Sequence, residues 1–338
     1  MGMNGIHVID ADGHIRERDD DLRPYLPEPY RSRDRNFYPI DNWDRSFGGK
    51  LGRLVFDLKT RLHDMDREGI DLAVLYPTNG LSIGAVREPE FAAALCTAYN
   101  TWLAEFCAQA PQRLRGVALV PLNNVPAAVK EVERATTLGH IGVMLAAHAH
   151  GKNLGEPEFH PLYAACERLD MPVGVHAAQQ DCAGLPRFTS FIGVHAVSHP
   201  FEQMICATGM ILGGIPELFP RLRIAYLEAG CGWVPYWLWR LDEEYEKRTV
   251  EAPLLKAKPS EYMRSGRIFY SCDPDEEMID YVMDRMGEDV ILYASDYPHW
   301  DALFPDSVKI LMANSSLGDK RKKKIFDDNP RRFYPALA

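Results

Sequence analysis

Val8-Ile9-Asp10-Ala11-Asp12-Gly13-His14 passes from apolar to ionisable residues within one strand length. Side chains alternate along a strand, so Asp10, Asp12 and His14 are expected on one face, the last two at its top. A carboxylate and an imidazole two residues apart on one rigid strand can chelate a single cation. Taken alone, the stretch fits a polar strand end bonded to backbone equally well, and the rest of the chain decides between the two.

Starting from Ile6–Asp12, eight short runs rich in β-branched and apolar residues read as strands. The others are Asp71–Pro77, Gly116–Leu122, Ile141–Ala147, Pro172–Ala178, Ile224–Ala229, Ile268–Cys272 and Val290–Ser295. Helical patterns separate them: Leu58, Leu62 and Met65 recur at helical spacing, Val125 to Leu138 is entered through a proline, and Met278, Val282 and Met286 are four apart. Continuous apolar stretches such as Leu72–Tyr76 and Val117–Val120 suit parallel strands buried on both faces.

Alternating βα units leave an open doubly wound sheet or a closed barrel. Ionisable residues fall at the C-terminal ends of strands one, five (His176), six (Glu228) and eight (Asp296, with His299 beyond Pro298). Barrel closure is what gathers four such distant ends at one mouth. The expected architecture is α/β, a TIM-like (β/α)₈ barrel over residues 1–338 as one domain. Two stretches outside the repeat, about 16–54 and 179–199, are expected as insertions shaping that mouth.

Hydrophobic residues make up 46% and charged residues 25% of the 338, the balance of a folded globular protein with a large core. The formal charge is −10, and the one basic cluster, Lys320–Lys324, reads as a solvated helix face, so no nucleic acid partner is expected. No apolar run is long enough to span a bilayer and no leader pattern opens the sequence, so no membrane partner is expected. Seven cysteines without a C-x-x-C pair suit a reducing cytoplasm. The stretch Gly232–Arg240 packs Trp233, Tyr236, Trp237 and Trp239 into one turn and helix, more than one face easily buries, and predicts a homodimer or higher oligomer.

Asp12, His14, His176 and Asp296 together make a donor set of nitrogen and oxygen suited to a divalent transition metal, with Glu228 facing it. The arrangement resembles the amidohydrolase superfamily, and within it the branch of amino-carboxymuconate-semialdehyde decarboxylase and the aromatic acid decarboxylases. The resemblance rests on Ile9–His14, on Pro172–His176, on Gly213–Leu222 leading to Glu228-Ala-Gly, and on Ser295–His299. It implies a metal (zinc, manganese or iron) bound by Asp12, in a place usually filled by histidine or glutamate, and by His14, His176 and Asp296. Asp10 would then be a support behind the ligands. No lysine ends strand four, where Val143–Ala147 stands, so the carboxylated lysine bridge of dinuclear hydrolytic members is not indicated.

Glu228 departs from the pattern, because the decarboxylases commonly place a histidine acid/base there. It can move protons if burial raises its pKa, and Glu228 and Asp296 are the candidate catalytic carboxylates. Glu228 with His199 and His299 is alternatively a second metal or substrate site. The expected function is decarboxylation or hydrolysis of a small carboxylate-bearing or aromatic molecule. The alternatives are a dinuclear iron or manganese/iron oxygenase (hydroxylase) on the same fold and an idle barrel kept as a binding protein.

Overall fold

The computed structural model describes residues 5–39, 57–177 and 187–338. The eight strands are Ile9–Ile15, Leu72–Pro77, Leu114–Gly116 continued past Val117 as Ala118–Leu119, Val143–Ala146, Val173–His176, Ile224–Tyr226, Ile268–Cys272 and Ile291–Tyr293. Each expected run overlaps a strand, with the first set three residues later than expected and the third starting earlier. Neighbours pair in parallel in chain order, for example Ile9 with Leu72, Val143 with Val173 and Tyr270 with Ile291.

The interrupted third strand joins both halves of the wall, since Val117 N donates to Leu75 O (3.1 Å) and Ala118 N to Gly142 O (2.9 Å). The ring closes where His14 N donates to Tyr297 O (2.7 Å) and Asp296 N to Asp12 O (3.2 Å). Closure therefore stitches together the two segments richest in candidate ligands.

Every residue of the first, second, fifth and eighth strands is buried, as a parallel strand between core and helices should be. Fully buried tyrosines 76, 226, 270 and 293 come from the strands themselves. Tyr76 Oη lies 2.7 Å from Tyr334 Oη, whose hydroxyl donates to Ala11 O at 2.9 Å, so the C-terminal segment is anchored to the first strand. Gly174 makes room: a Cβ there would lie 2.3 Å from Tyr76 Oη.

The Leu58–Glu68 helix starts on Asp57, which accepts from Thr60 N, and ends on Gly69 in the left-handed region at φ 87°. The other expected helices span Val125–Thr137, entered through Pro126, and Ile279–Met286. Of the expected insertions, residues 16–39 carry a short helix, Asp19–Leu22, and a 3₁₀ turn, Arg23–Tyr25. The second differs from a simple loop, because the long Phe191–Leu212 helix already begins inside it; residues 40–54 and 179–186 lie outside the described residues. The basic cluster is spent in ion pairs, Lys320 and Arg321 to Glu288, Lys323 to Asp328 and Lys324 to Asp289.

Candidate metal centre

The first strand does not alternate as simply as its sequence suggests. Asp10 pairs with Ala73 but Gly13 with Leu75, so Ala11 and Asp12 together oppose Val74 in a bulge. The expectation that Asp10 shares a face with Asp12 and His14 is corrected by that extra residue. Asp10 instead accepts from Ser295 N (2.9 Å) and Ser295 Oγ (2.6 Å), behind the eighth strand's end, while Asp12 and His14 face His176.

Three buried atoms without a hydrogen-bond partner converge at the mouth: Asp12 Oδ1, His14 Nε2 and His176 Nε2. Asp12 Oδ1 lies 3.1 Å from His176 Nε2 and 3.6 Å from His14 Nε2, and Asp296 Oδ1 is 3.5 Å from His14 Nε2. Metal–ligand bonds of about 2.0–2.2 Å put neighbouring ligands of a tetrahedral or octahedral shell roughly 3.0–3.5 Å apart, so these spacings fit one transition ion. An unpartnered buried lone pair is costly, and a cation would satisfy all of them at once.

The tautomers agree. His14 Nδ1 donates to Pro77 O at 2.8 Å, because a carbonyl can only accept, and its Nε2 lone pair is thereby turned to the centre. His176 Nδ1 is 3.0 Å from Glu228 Oε2, which leaves Nε2 for the centre in the same way. Burial, reinforced by the neighbouring His299, holds His14 well below the usual imidazole range and therefore neutral. Burial also pushes Asp12 up despite His176, and pushes Asp296 well up despite His299.

Glu228 and Asp296 both sit at strand ends in the left-handed region, at φ 57° and 52°. Such backbone costs roughly 1–3 kcal/mol per residue and concentrates at functional sites. Burial would raise the Glu228 pKa, as expected from sequence, but hydrogen bonds from His176 and His299 and the charge of His199 outweigh it. Its carboxyl is held well below the usual range, so it stands ionised as an acceptor. His299 Nδ1 lies 2.6 Å from Asp296 Oδ1 and 3.4 Å from Glu228 Oε1, with its Nε2 3.2 Å from Thr78 Oγ1.

A second convergent group, His14, Glu228, Asp296 and His299, overlaps the first at His14. His199 belongs to neither group among the described residues; it lies 3.0 Å from Ser198 Oγ, and its ring centroid is 5.1 Å from that of His195 on the same helix. Three features escaped the sequence reading. Arg61, on the Leu58–Glu68 helix, is buried and donates to His14 O at 2.7 Å. Glu17 is buried and accepts from Thr78 N and Gly80 N, fixing the turn that carries Thr78. His195 Nε2 and Asp301 Oδ2 pair at 3.3 Å beside Trp300. Arg61 did leave a signal, a charge inside the apolar stripe of Leu58, Leu62 and Met65, and His195 stands one helical turn before His199.

The chain matches the sequence profile of the amidohydrolase family over residues 9–336. It is 26% identical over 258 residues to 2-amino-3-carboxymuconate-6-semialdehyde decarboxylase of Dictyostelium discoideum, covering 75% of this chain and 70% of the relative. It is 25% identical over 316 residues to gamma-resorcylate decarboxylase of Rhizobium radiobacter, covering 88% and 92%. The fold is that of 5-carboxyvanillate decarboxylase from Novosphingobium aromaticivorans, solved with manganese and 4-hydroxy-3-methoxy-5-nitrobenzoic acid, with TM-score 0.77, 23% identity and 99% and 97% coverage. These relatives support the decarboxylase expectation and lend none to the oxygenase alternative. With its parallel eight-stranded ring, the chain belongs to the amidohydrolase family.

Proposed function

We propose that the protein is a metal-dependent decarboxylase of a small aromatic carboxylic acid. The observation that carries this is the convergence of Asp12 Oδ1, His14 Nε2 and His176 Nε2, buried and unpartnered, beside Asp296. Asp12, His14, His176 and Asp296 would hold one divalent transition ion, manganese being the ion in the 5-carboxyvanillate decarboxylase structure. Once bound, such an ion draws charge from a substrate oxygen and lowers the barrier to losing the carboxylate.

The rest falls to side chains. Breaking the ring–carboxylate bond leaves its electron pair on a ring carbon, which must take up a proton as carbon dioxide departs. His299 Nδ1, shared between Asp296 Oδ1 and Glu228 Oε1, holds that proton, and Glu228 passes it towards the substrate. Glu228 Oε2 meanwhile keeps His176 Nδ1 protonated and its Nε2 free.

A second ion on Glu228, His299 and His199 is the competing reading. Both convergent groups need the one Nε2 lone pair of His14, and Glu228 already accepts from His176 and lies against His299, which favours one ion per chain. We further propose a single barrel domain in a reducing cytoplasm, associated as a homodimer or larger. The six cysteines among the described residues are free and buried, and no helix among those residues is long and apolar enough to cross a membrane. Tyr236 and Trp239 are more than half exposed with ring centroids 5.9 Å apart, an aromatic patch of the kind enriched at interfaces.

The test is carbon dioxide release from gamma-resorcylate and related hydroxybenzoates by manganese-loaded protein. Release that stops on chelation and returns with manganese is expected. No release from any of them by protein carrying a full equivalent of metal would overturn the reading.

A further inference from the structure

Behind the mouth, outside the ring of candidate ligands, two buried charged residues, Arg61 and Asp10, tie together the two segments that close the barrel. Arg61 belongs to an outer helix, yet it is only 4% exposed. Its Nη1 donates to His14 O (2.7 Å) and reaches Tyr297 O (3.4 Å), and its guanidinium lies 4.8 Å from the Tyr297 ring centroid. Those two carbonyls flank the closure itself, because His14 N donates to the same Tyr297 O. Asp10 completes the device from the other side, accepting both the backbone and hydroxyl of Ser295, the residue before Asp296.

The two charges face each other across Gly13. A Cβ on Gly13 would lie 2.4 Å from Asp10 Oδ2 and 2.8 Å from Arg61 Nη2, so the glycine of Asp12-Gly13-His14 is what leaves room for both side chains. Nε and Nη2 of Arg61 make no hydrogen bond, so beyond the two carbonyls and the Tyr297 ring the burial of the guanidinium is offset by the nearby charges of Asp10 and Glu68. A pair kept merely for stability would be replaceable by apolar packing, whereas this one contacts the backbone of one candidate ligand and the residue preceding another.

We propose that Arg61 and Asp10 are positioning residues, a buried clamp that sets the separation of His14 from Asp296 and thereby the affinity for the metal. The inference rests on the metal-site reading above. Removing a group that orients a metal ligand typically weakens binding about 10–100-fold. Lysine at position 61 keeps a charge for Asp10 but cannot fork between two carbonyls, so it should restore binding only in part.

Manganese affinity would be measured by electron paramagnetic resonance on folded parent, Arg61→Met, Arg61→Lys, Asp10→Asn and the Arg61→Met/Asp10→Asn double variant. Unfolding by urea would be followed on the same samples. The clamp predicts affinity about 10–100-fold weaker in Arg61→Met, an intermediate value in Arg61→Lys, and a double-variant loss smaller than the product of the single losses. Should Arg61→Met not fold, Arg61→Lys and Asp10→Asn carry the same comparison. Parent-like affinity in the folded variants, with stability alone reduced, would overturn the clamp and leave the metal site standing. A parent that binds no manganese would overturn both.

Discussion

Replacing Glu228 by glutamine tests the proposed chemistry at the strand end where the family resemblance implies a histidine instead. The carboxylate meets two imidazoles, His176 Nδ1 at 3.0 Å and His299 Nδ1 at 3.4 Å. Glutamine offers one carbonyl oxygen and an amide NH₂ that cannot accept, so one imidazole loses its contact with an oxygen at position 228, and His299 would be left with Asp296 alone. If His176 keeps the oxygen, its Nε2 stays aimed at the metal and binding changes little, while the proton shared by His299 loses its relay. If His176 loses it, a charge-assisted hydrogen bond worth about 1.5–3 kcal/mol goes, which is roughly a 10–150-fold weakening of the metal. The shorter His176 contact favours the first outcome. Turnover on gamma-resorcylate with saturating manganese should then fall about 10²–10⁴-fold, the usual worth of a general acid–base group. Metal content should stay near one per chain in both proteins. Turnover like the parent's would refute the relay, and two metals falling to one in the variant would refute the single-ion reading in favour of a second site on Glu228.

Alanine at His14, His176 or Asp296 should remove most bound manganese while circular dichroism stays parent-like, since stability resides in the barrel layers below; full metal retention in all three would sink the ligand assignment. Chelating the metal should lower the thermal midpoint by a few degrees, because an ion at a hundred times its Kd adds about 2.7 kcal/mol to the folded state; an unchanged midpoint would speak against folded-state binding. Burial pushes Glu17 up to about 7 from 4.5 despite its backbone hydrogen bonds. A raised acid makes the folded state the tighter proton binder between those values, so metal-free stability should fall as pH rises from about 5 to 8, by roughly 2–3 kcal/mol relative to Glu17→Gln; parallel pH profiles in urea would contradict it. Light scattering at micromolar concentration should show at least a dimer, shifted towards 38.3 kDa by Trp239→Glu, and a monomeric parent would remove the association proposal.

The barrel was readable because its strands are buried on both faces and announce themselves as apolar runs, and because four of them end in ionisable residues. The candidate ligand set Asp12, His14, His176 and Asp296 followed from those strand ends. Side-chain direction was less legible. Period-two alternation placed Asp10 with Asp12, but one extra residue opposite Val74 reverses that relation, and a bulge has no signature in Asp10-Ala11-Asp12-Gly13. Glu228 was placed correctly at a strand end but assigned the wrong electrostatics. Its ionised state depends on His176 and His299, one 52 residues before it and the other 71 after, which no local pattern connects. Arg61 and Glu17 were missed for a related reason, since each acts on backbone groups of a different element and backbone atoms carry no sequence identity.

The strained residues show how the mouth is assembled from parts that would otherwise avoid one another. Glu228 and Asp296 hold left-handed backbone that alanine would adopt no more easily, each just past a strand that ends at Tyr226 or Tyr293. The cost, roughly 1–3 kcal/mol apiece, must be met by what surrounds them. Ser271 Oγ accepts from Glu228 N, Asp12 O accepts from Asp296 N, and Asp10 secures Ser295. Each support comes from a neighbouring strand that is itself fully buried, so the geometry of the charged mouth is inherited from the apolar layers beneath it. Substitutions there should therefore report first as altered metal affinity and only later as loss of the fold.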